Sequence, residues 1–283
     1  MIKVLRTEQW SKNLVILIPT LISGEFQNFL TLKLYMIMFS FSILASSTYI
    51  LNDIKDIEQD QLHPQKKFRP IAAGQIKISF ARKYALTLLF LSFILINLLE
   101  QNLIKYYFLY LLITVSYSIS FKYLKYLDFL SITFLFLIRI VVGGVGMGIS
   151  FTNYFIYFII FVLTTISLGK KISIFMNIDI PNKSKVKEKL LASYSQKELK
   201  YIYNLFVAAS IIVFIIWLNR NLSNTIIDLP IAILSLTSLV HFFFIFYKDS
   251  SRAKTENFIT WLFEIKNLLV VLIITISTLA IIY

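Results

Sequence analysis

Nine apolar runs, separated by short charged stretches, are the feature that most constrains what this chain can fold into. They cover approximately residues 14–30, 34–51, 84–99, 104–121, 127–149, 153–169, 201–219, 227–247 and 264–283. Most are close to the ~20 residues that an α-helix needs to cross a hydrocarbon core of ~30 Å. Because lipid cannot satisfy backbone hydrogen bonds, each run is expected to be helical. The sequence therefore predicts an all-α polytopic membrane protein, in which residues 1–283 form a single transmembrane domain of nine transmembrane helices.

The composition of the chain excludes several classes of function. Hydrophobic residues make up 58% of the sequence, against roughly 45–50% in soluble domains. The net charge of +13 therefore has no soluble basic domain in which to bind nucleic acid. We expect membrane lipid, and not nucleic acid, to be the partner of the basic residues. The sequence contains no cysteine, which excludes disulfides, thiolate catalysis and cysteine metal sites.

Lysine and arginine residues are distributed unevenly between the two sides of the predicted membrane. If the N-terminus is cytoplasmic, 24 of the 28 lie in inner segments, three lie in outer segments and Arg139 lies within a run. This distribution follows the positive-inside rule. The sequence therefore predicts a cytoplasmic N-terminus and an external C-terminus. The two long inner loops, residues 52–83 and 170–200, are expected to carry the functional site.

The first apolar run has a second interpretation. Its basic flank and the short apolar stretch at residues 14–22 also resemble a secretory signal peptide. The small-residue cleavage pattern of a signal peptide is missing, however, and the loop charges require a membrane span here. We therefore favour a first transmembrane helix, although Pro19, Gly24 and Glu25 interrupt it.

An acidic stripe follows the second run. Asp53, Asp56 and Asp60 are spaced by three and four residues, which places them on one face of a helix, with Asn52 one turn from Asp56. Like charges at this spacing repel each other. A magnesium ion offsets such repulsion, because it binds carboxylate oxygens together with substrate phosphates. The stripe therefore predicts a Mg²⁺ site on these three aspartates; the alternative is a solvated acidic helix end.

Basic side chains come directly after the acidic stripe. They are His63, Lys66, Lys67 and Arg69. A magnesium diphosphate needs carboxylates for the metal and cations for the oxygens that the metal leaves uncovered. We therefore predict catalytic roles for Lys66 and Arg69 and substrate binding by His63 and Lys67. Contact with lipid headgroups is the alternative for the three cations, and a simple turn is the alternative for the histidine.

A second set of candidate substrate-binding residues is spread along the middle of the chain. It comprises Tyr117, Lys122, Asp128, Lys170 and Lys171. Asp128 opens an apolar run, so it either caps the helix N-terminus or belongs to the site. The two adjacent lysines end the sixth run and also serve as a topology signal.

Two features of the fifth run require an interpretation. Arg139 lies about three turns inside it, where a charge is costly unless it faces a wet cavity or a partner. It could bind the phosphate of a lipid, which we favour, or pair with a buried carboxylate. The glycine-rich residues 143–148 resemble a dinucleotide-binding loop, but no strand precedes them. Close packing between helices is the better interpretation of these glycines.

The motif N-D-x-x-D-x-x-x-D-x-x-H-P-x-K-x-x-R-P-I-A-x-G at residues 52–74 resembles the first aspartate-rich motif of the UbiA superfamily of intramembrane prenyltransferases. The His-Pro-x-Lys insertion is most similar to the decaprenyl-phosphate phosphoribosyltransferase branch of that superfamily. Further positions along the chain are similar to the same branch: Arg6, Gln9, Trp10, Lys12, Asn13, Tyr117, Ser118, Lys122, Asp128, Arg139, Gly143, residues 169–171 and residues 193–195.

The resemblance has implications for the fold and the metal. It implies nine transmembrane helices around a cavity that opens sideways into the lipid, and Mg²⁺ on Asp53, Asp56 and Asp60 with Asn52 in support. Typical aromatic prenyltransferases of the superfamily carry a second Asp-x-x-x-Asp after the sixth span. This chain has only Asp179 at the early positions of that loop, which leaves a second metal site open.

The resemblance also implies an activity: transfer of 5-phosphoribosyl from phosphoribosyl diphosphate to a polyprenyl phosphate in a prokaryotic plasma membrane. The alternative within the superfamily is transfer of an isoprenoid from a prenyl diphosphate to an aromatic or lipid acceptor. The His63 insertion and the missing second motif favour the first reaction. A non-enzymatic cation-coupled transporter or scaffold is disfavoured, because its carboxylates are expected within the spans and this chain's avoid them.

Overall fold

The computed structural model describes residues 2–24, 26–62, 65–176, 193–222 and 227–282. All regular secondary structure in these ranges is helical. The chain forms two compact units, which are described in turn: Met1–Ser150, and the described residues from Phe151 onward.

The α-helices of the described residues vary widely in length. In chain order they are α1 (Ile18–Ile22), α2 (Leu32–Lys55), α3 (Ile57–Gln61), α4 (Ile78–Leu99), α5 (Ile104–Ile119), α6 (Leu127–Gly146), α7 (Asn153–Met176), α8 (Gln196–Asn221), α9 (Asp228–Ser250), α10 (Phe258–Leu262) and α11 (Ile265–Ile282). Seven of them, α2, α4, α6, α7, α8, α9 and α11, are long and apolar enough to cross a membrane. These seven coincide with seven of the predicted runs and confirm the helical membrane architecture.

The other two predicted runs differ from the seven. Residues 104–121 form α5, which has only 16 residues. Residues 14–30 are not one continuous helix, because 3₁₀ segments at Thr7–Leu17 and Phe26–Leu30 flank the short α1. Proline is tolerated only in the first turn of a helix, where Pro19 lies. The count of nine spanning helices stays a prediction.

In the first unit, the N-terminal segment is bound to α2 through small hydroxyl side chains. The Asn13 side chain donates to Ser42 Oγ at 2.8 Å, and Trp10 Nε1 donates to Ser46 Oγ at 2.9 Å. Ser46 Oγ in turn donates to the Leu5 carbonyl at 2.8 Å. Serine leaves space for the segment to approach and supplies the hydrogen bonds that its buried polar groups need.

Aromatic side chains fill the core of the first unit beside these serines. The Phe41 ring of α2 lies 5.3 Å from the Tyr107 ring and 4.8 Å from the Tyr110 ring, both on α5 and both edge-on. All three side chains are buried. This edge-to-face geometry is the one that aromatic pairs prefer.

Two glycines of α6 allow close packing in the same core. A Cβ atom at Gly143 would lie 1.9 Å from the Ile16 carbonyl oxygen, and one at Gly146 would lie 2.6 Å from Ile37 Cδ1. The backbone of the N-terminal segment therefore runs directly over α6. This finding confirms that Gly143 and Gly146 serve close packing.

In the second unit, the turn after α9 is attached to α7. The Thr255 backbone N–H donates to Ser173 Oγ at 3.2 Å, and Thr255 Oγ1 donates to the Gly169 carbonyl at 3.4 Å. The start of α8 is fixed by a capping box, in which Ser195 accepts from the Glu198 N–H at 3.1 Å. Such a cap satisfies backbone donors that the first helical turn leaves unpaired.

Replacing Gly143 by alanine should destabilise the protein, because the added methyl group collides with backbone at Ile16. We expect a loss of about 1–3 kcal/mol, measured as a lower thermal unfolding midpoint in detergent. Gly146→Ala is the matched control and should cost less, because the flexible end of the Ile37 side chain can move. Equal midpoints for the two variants would contradict the packing described here.

Candidate active site

The acidic stripe lies where α2 ends and α3 begins. Helix α2 ends at Lys55, and Asp56 occupies the junction with φ −94° and ψ 13°. The Asp56 N–H donates to the Asn52 carbonyl at 2.9 Å, and the Asp60 N–H donates to the Asp56 carbonyl at 2.8 Å. Helical hydrogen bonds therefore continue across the junction, and the predicted helical spacing of the aspartates is confirmed locally.

Asp53 and Asp60 share one cation. Their residues are only 5% and 3% exposed. Arg69 Nη1 lies 3.2 Å from Asp53 Oδ1 and 2.5 Å from Asp60 Oδ2. Because one nitrogen contacts both oxygens, the two carboxylates face the same point.

Two further cations surround this pair. Lys66 Nζ lies 4.0 Å from Asp60 Oδ1, and Arg6 Nη1 lies 3.4 Å from Asp53 Oδ1. Arg6 adopts a left-handed backbone conformation, with φ 52° and ψ 49°, which is uncommon for a residue with a side chain. Sequence reasoning did not place Arg6 among the site residues, since its charge was counted only as a topology signal. The N-terminal resemblance, which includes Arg6, was the signal that could have found it.

Asp56 is directed to different partners. Lys122 Nζ lies 2.9 Å from its Oδ1 and 3.2 Å from its Oδ2, and the Asn52 side chain donates to Oδ2 at 3.0 Å. Burial alone would lower the pKa of Lys122, but the hydrogen bond and charge of Asp56 outweigh it and raise that pKa. Lys122 is therefore held as a cation. Three predicted residues, Asn52, Asp56 and Lys122, therefore come together here. Tyr117 is half-buried in the last turn of α5, and its role in substrate binding stays a prediction.

The carboxylate oxygens that contact Arg69 are suitable ligands for a hard cation such as magnesium. Magnesium is usually bound by one or two carboxylates together with substrate phosphates, and Asp53 and Asp60 supply two buried carboxylate oxygens at one point. Within the described ranges, no three His, Asp or Glu side chains are grouped as a metal site. The structure thus brings two of the three predicted metal ligands together, and Asp56 as a third ligand stays a prediction.

The remaining predicted residues of the first unit have other surroundings. Lys67 is exposed, with Nζ 5.2 Å from the centre of the Phe68 ring. Asp128 is buried in the first turn of α6, where Tyr126 and not the aspartate is the capping residue. His63 lies outside the described residues.

Lys170 and Lys171 belong to the second unit. Lys171 is buried near the end of α7, and its Nζ lies 4.1 Å from the centre of the Tyr194 ring. Lys170 is half-buried. A cation over an aromatic face is stabilised by the negative potential of the ring. Substrate binding by these two lysines stays a prediction.

Arg139 is held inside the first unit by neutral groups. It is 3% exposed. Its Nε donates to Asn13 Oδ1 and its Nη2 donates to the Tyr110 hydroxyl, each at 2.9 Å, while Nη1 donates to the Leu135 carbonyl. None of these three partners is a carboxylate, and binding of a lipid phosphate by Arg139 stays a prediction. The geometry favours a supporting role, in which Arg139 fixes the N-terminal segment through Asn13.

Lys12, next to Asn13, has a lowered pKa. Burial lowers its pKa to about 8, and the nearby charges of Arg139 and Arg6 act in the same direction, whereas Glu8 opposes them. Because burial is the largest cause, the charged form of Lys12 is poorly solvated in the folded protein.

Comparison with known proteins adds a family likeness. The model of the UbiA prenyltransferase family matches residues 14–268. The decaprenyl-phosphate phosphoribosyltransferase of Mycolicibacterium smegmatis is 29% identical over 236 residues, which cover 81% of this chain and 73% of that protein. The protein of the same name from Corynebacterium glutamicum is 29% identical over 225 residues, which cover 77% of this chain and 66% of that protein.

A solved structure shows the same fold. The structure of a UbiA homolog from Archaeoglobus fulgidus bound to GPP and Mg²⁺ has a TM-score of 0.71 at 15% identity, and the match covers 99% of this chain and 98% of that one. Together with the seven apolar helices, this likeness shows an integral membrane protein.

Replacing Arg139 by methionine should lower the thermal unfolding midpoint in detergent. The change leaves buried Asn13 and Tyr110 without their donor, at a cost of about 1–3 kcal/mol. Arg82→Met, at an exposed arginine of α4, is the control and should leave the midpoint unchanged. An unchanged midpoint for the Arg139 variant would contradict the supporting role.

Replacing Lys12 by glutamine should stabilise the protein at pH 7. The folded-state pKa of Lys12, about 8, lies below its ordinary value of 10.5, so the unfolded state binds more protons between these pH values. Stability of the unchanged protein should therefore rise with pH across this window, and the advantage of the variant should shrink by pH 10. Thermal unfolding midpoints measured from pH 7 to 10 test this, with Lys3→Gln at an exposed lysine as the control. A difference in midpoint between the Lys12 variant and the unchanged protein that stays the same at every pH would contradict it.

Proposed function

Because the chain belongs to the UbiA prenyltransferase family, we propose that this membrane transferase moves a 5-phosphoribosyl group from phosphoribosyl diphosphate to a polyprenyl phosphate. The relatives named as decaprenyl-phosphate phosphoribosyltransferases support the choice of donor and acceptor. The observation that carries the proposal is the site itself, where the buried Asp53 and Asp60 face one point next to Arg69. Carboxylates for a metal and cations for phosphate oxygens are the two groups that a diphosphate requires.

The reaction expels diphosphate. The bond between the anomeric carbon of ribose and the diphosphate oxygen breaks, and its electron pair leaves with the diphosphate. A bond then forms from an oxygen of the lipid phosphate to the same carbon. The attacking phosphate is already an anion, so no base is required. The ribose is oxocarbenium-like between these events, as in other displacements at an anomeric carbon.

The residues of the site act on the leaving group. Lys122, held as a cation by Asp56, and Arg69 with Lys66 are the groups that bind diphosphate oxygens in this proposal. Asn52 orients Asp56 through its side-chain hydrogen bond. Magnesium, when held by Asp53 and Asp60, would supply neutralisation of the charge that develops on the diphosphate. Charge-assisted hydrogen bonds from Lys122, Arg69 and Lys66 supply the remaining stabilisation of the negative charge on the diphosphate.

The topology forms part of the same proposal. Nine spans with a cytoplasmic N-terminus, in a prokaryotic plasma membrane, would place the end of α2 at the cytoplasmic surface. The soluble sugar donor would then arrive from the cytoplasm, and the lipid phosphate would arrive from the bilayer. The charge distribution of the loops supports this orientation.

Replacing Asp53 by asparagine should reduce phosphoribosyl transfer by about 100-fold or more, because the leaving group loses several kcal/mol of charge stabilisation. The assay uses purified protein in detergent with Mg²⁺, radiolabelled phosphoribosyl diphosphate and polyprenyl phosphate, followed by extraction of the lipid. Glu58→Gln, at an exposed carboxylate of α3, is the matched control and should retain activity.

The same assay separates the alternatives. Label in the lipid fraction supports phosphoribosyl transfer. Transfer only from a labelled prenyl diphosphate would overturn it in favour of prenyl transfer, since both reactions expel diphosphate. Full activity of the Asp53 variant would overturn the role of that carboxylate.

A further inference from the structure

We propose that Arg69 occupies the metal position between Asp53 and Asp60 until a diphosphate arrives, so that metal alone binds weakly and metal with diphosphate binds tightly. The proposal rests on the proposed function in that it assumes a diphosphate substrate. It adds that Arg69 changes partners, from the two carboxylates to the oxygens of the diphosphate.

The first step of the argument is the contact geometry. A single nitrogen, Arg69 Nη1, contacts Asp53 Oδ1 at 3.2 Å and Asp60 Oδ2 at 2.5 Å. A cation bound by both oxygens would have to occupy the space that this nitrogen fills. Metal and guanidinium are therefore competitors for one position.

The second step is the charge around that position. Three cations, Arg6, Lys66 and Arg69, lie within 4.0 Å of the two carboxylates. The two negative charges are thus already compensated before any metal binds. A dication that enters alone meets net repulsion, which is strong at short distance in a site of low dielectric constant. A diphosphate turns this net repulsion of the metal into net attraction, because it brings negative charge to the metal and hydrogen-bond acceptors to the displaced guanidinium.

The third step is that Arg69 can leave without unfolding its surroundings. Its side chain is 22% exposed, whereas those of Asp53 and Asp60 are 7% and 4% exposed. Its backbone is held separately, since its N–H donates to the Lys66 carbonyl at 2.9 Å and its carbonyl accepts from the Ala73 N–H at 2.8 Å. The long side chain can therefore rotate toward solvent while the backbone stays in place.

Competition of this kind has a reciprocal consequence. If diphosphate draws Arg69 away and strengthens metal binding, metal strengthens diphosphate binding by the same factor. Removing the guanidinium should have part of the effect of adding diphosphate. Arg69→Gln should therefore bind metal alone more tightly than the unchanged protein, by about tenfold.

The experiment measures Mn²⁺ binding to the purified full-length protein in detergent, from the electron paramagnetic resonance signal of the free ion. The unchanged protein should bind Mn²⁺ weakly, and Arg69→Gln should bind it about tenfold more tightly. Arg69→Lys keeps a cation at the position and should bind weakly. Arg82→Gln, at an exposed arginine of α4, is the matched control and should behave as the unchanged protein. Adding Asp53→Asn to Arg69→Gln should abolish the gain.

A second measurement needs no variant. Methylene diphosphonate, with its own chelation of Mn²⁺ calibrated, should tighten Mn²⁺ binding to the unchanged protein by about tenfold or more. Equal Mn²⁺ affinity with and without the diphosphonate, or no gain in Arg69→Gln, overturns the exchange. Neither result depends on phosphoribosyl transfer. The lipid-labelling assay can therefore show transfer while Mn²⁺ binding shows no exchange of Arg69, and Mn²⁺ binding can show the exchange while the lipid stays unlabelled.

Discussion

The guanidinium of Arg69 between the buried carboxylates of Asp53 and Asp60 is the interaction on which the rest of the site depends. Burying a carboxylate costs several kcal/mol unless it is paired and hydrogen-bonded. The pairing therefore compensates the charge of both carboxylates. The loop after α3 is held by other contacts, among them the Gln61 side chain, which donates to the Ala72 carbonyl at 3.2 Å. Cations and carboxylates thus lie together where a diphosphate needs both.

A second network supports this pair from the N-terminal segment. Arg139 binds Asn13, Asn13 binds Ser42 of α2, and Arg6 at the other end of the segment reaches Asp53. The segment thus connects the middle of α6 with the acidic stripe. Three of the five N–H groups of the Arg139 guanidinium donate to an amide, a phenol and a backbone carbonyl, and these hydrogen bonds fix the side chain inside the first unit.

Sequence reasoning succeeded where one local rule decides the structure. Lipid forces an apolar run to be helical, so seven spans were predictable. The spacing of three and four predicted that Asp53, Asp56 and Asp60 share one helix face, and the structure brings Asp53 and Asp60 to one point. Sequence reasoning failed where the partner is distant or uncharged. Asn13 and Arg139 are 126 positions apart, and an amide gives no charge pattern to detect. The pairing of Asp56 with Lys122 likewise depends on neighbours in space that periodicity does not report.

The central claim is that Asp53 and Asp60 bind a metal diphosphate in place of Arg69. The most direct test is anomalous X-ray diffraction from crystals grown with Mn²⁺ and methylene diphosphonate. The account predicts a manganese peak bound by both carboxylates, with the Arg69 guanidinium turned to the diphosphonate. A manganese diphosphonate bound elsewhere, with Arg69 still between the two aspartates, would contradict it.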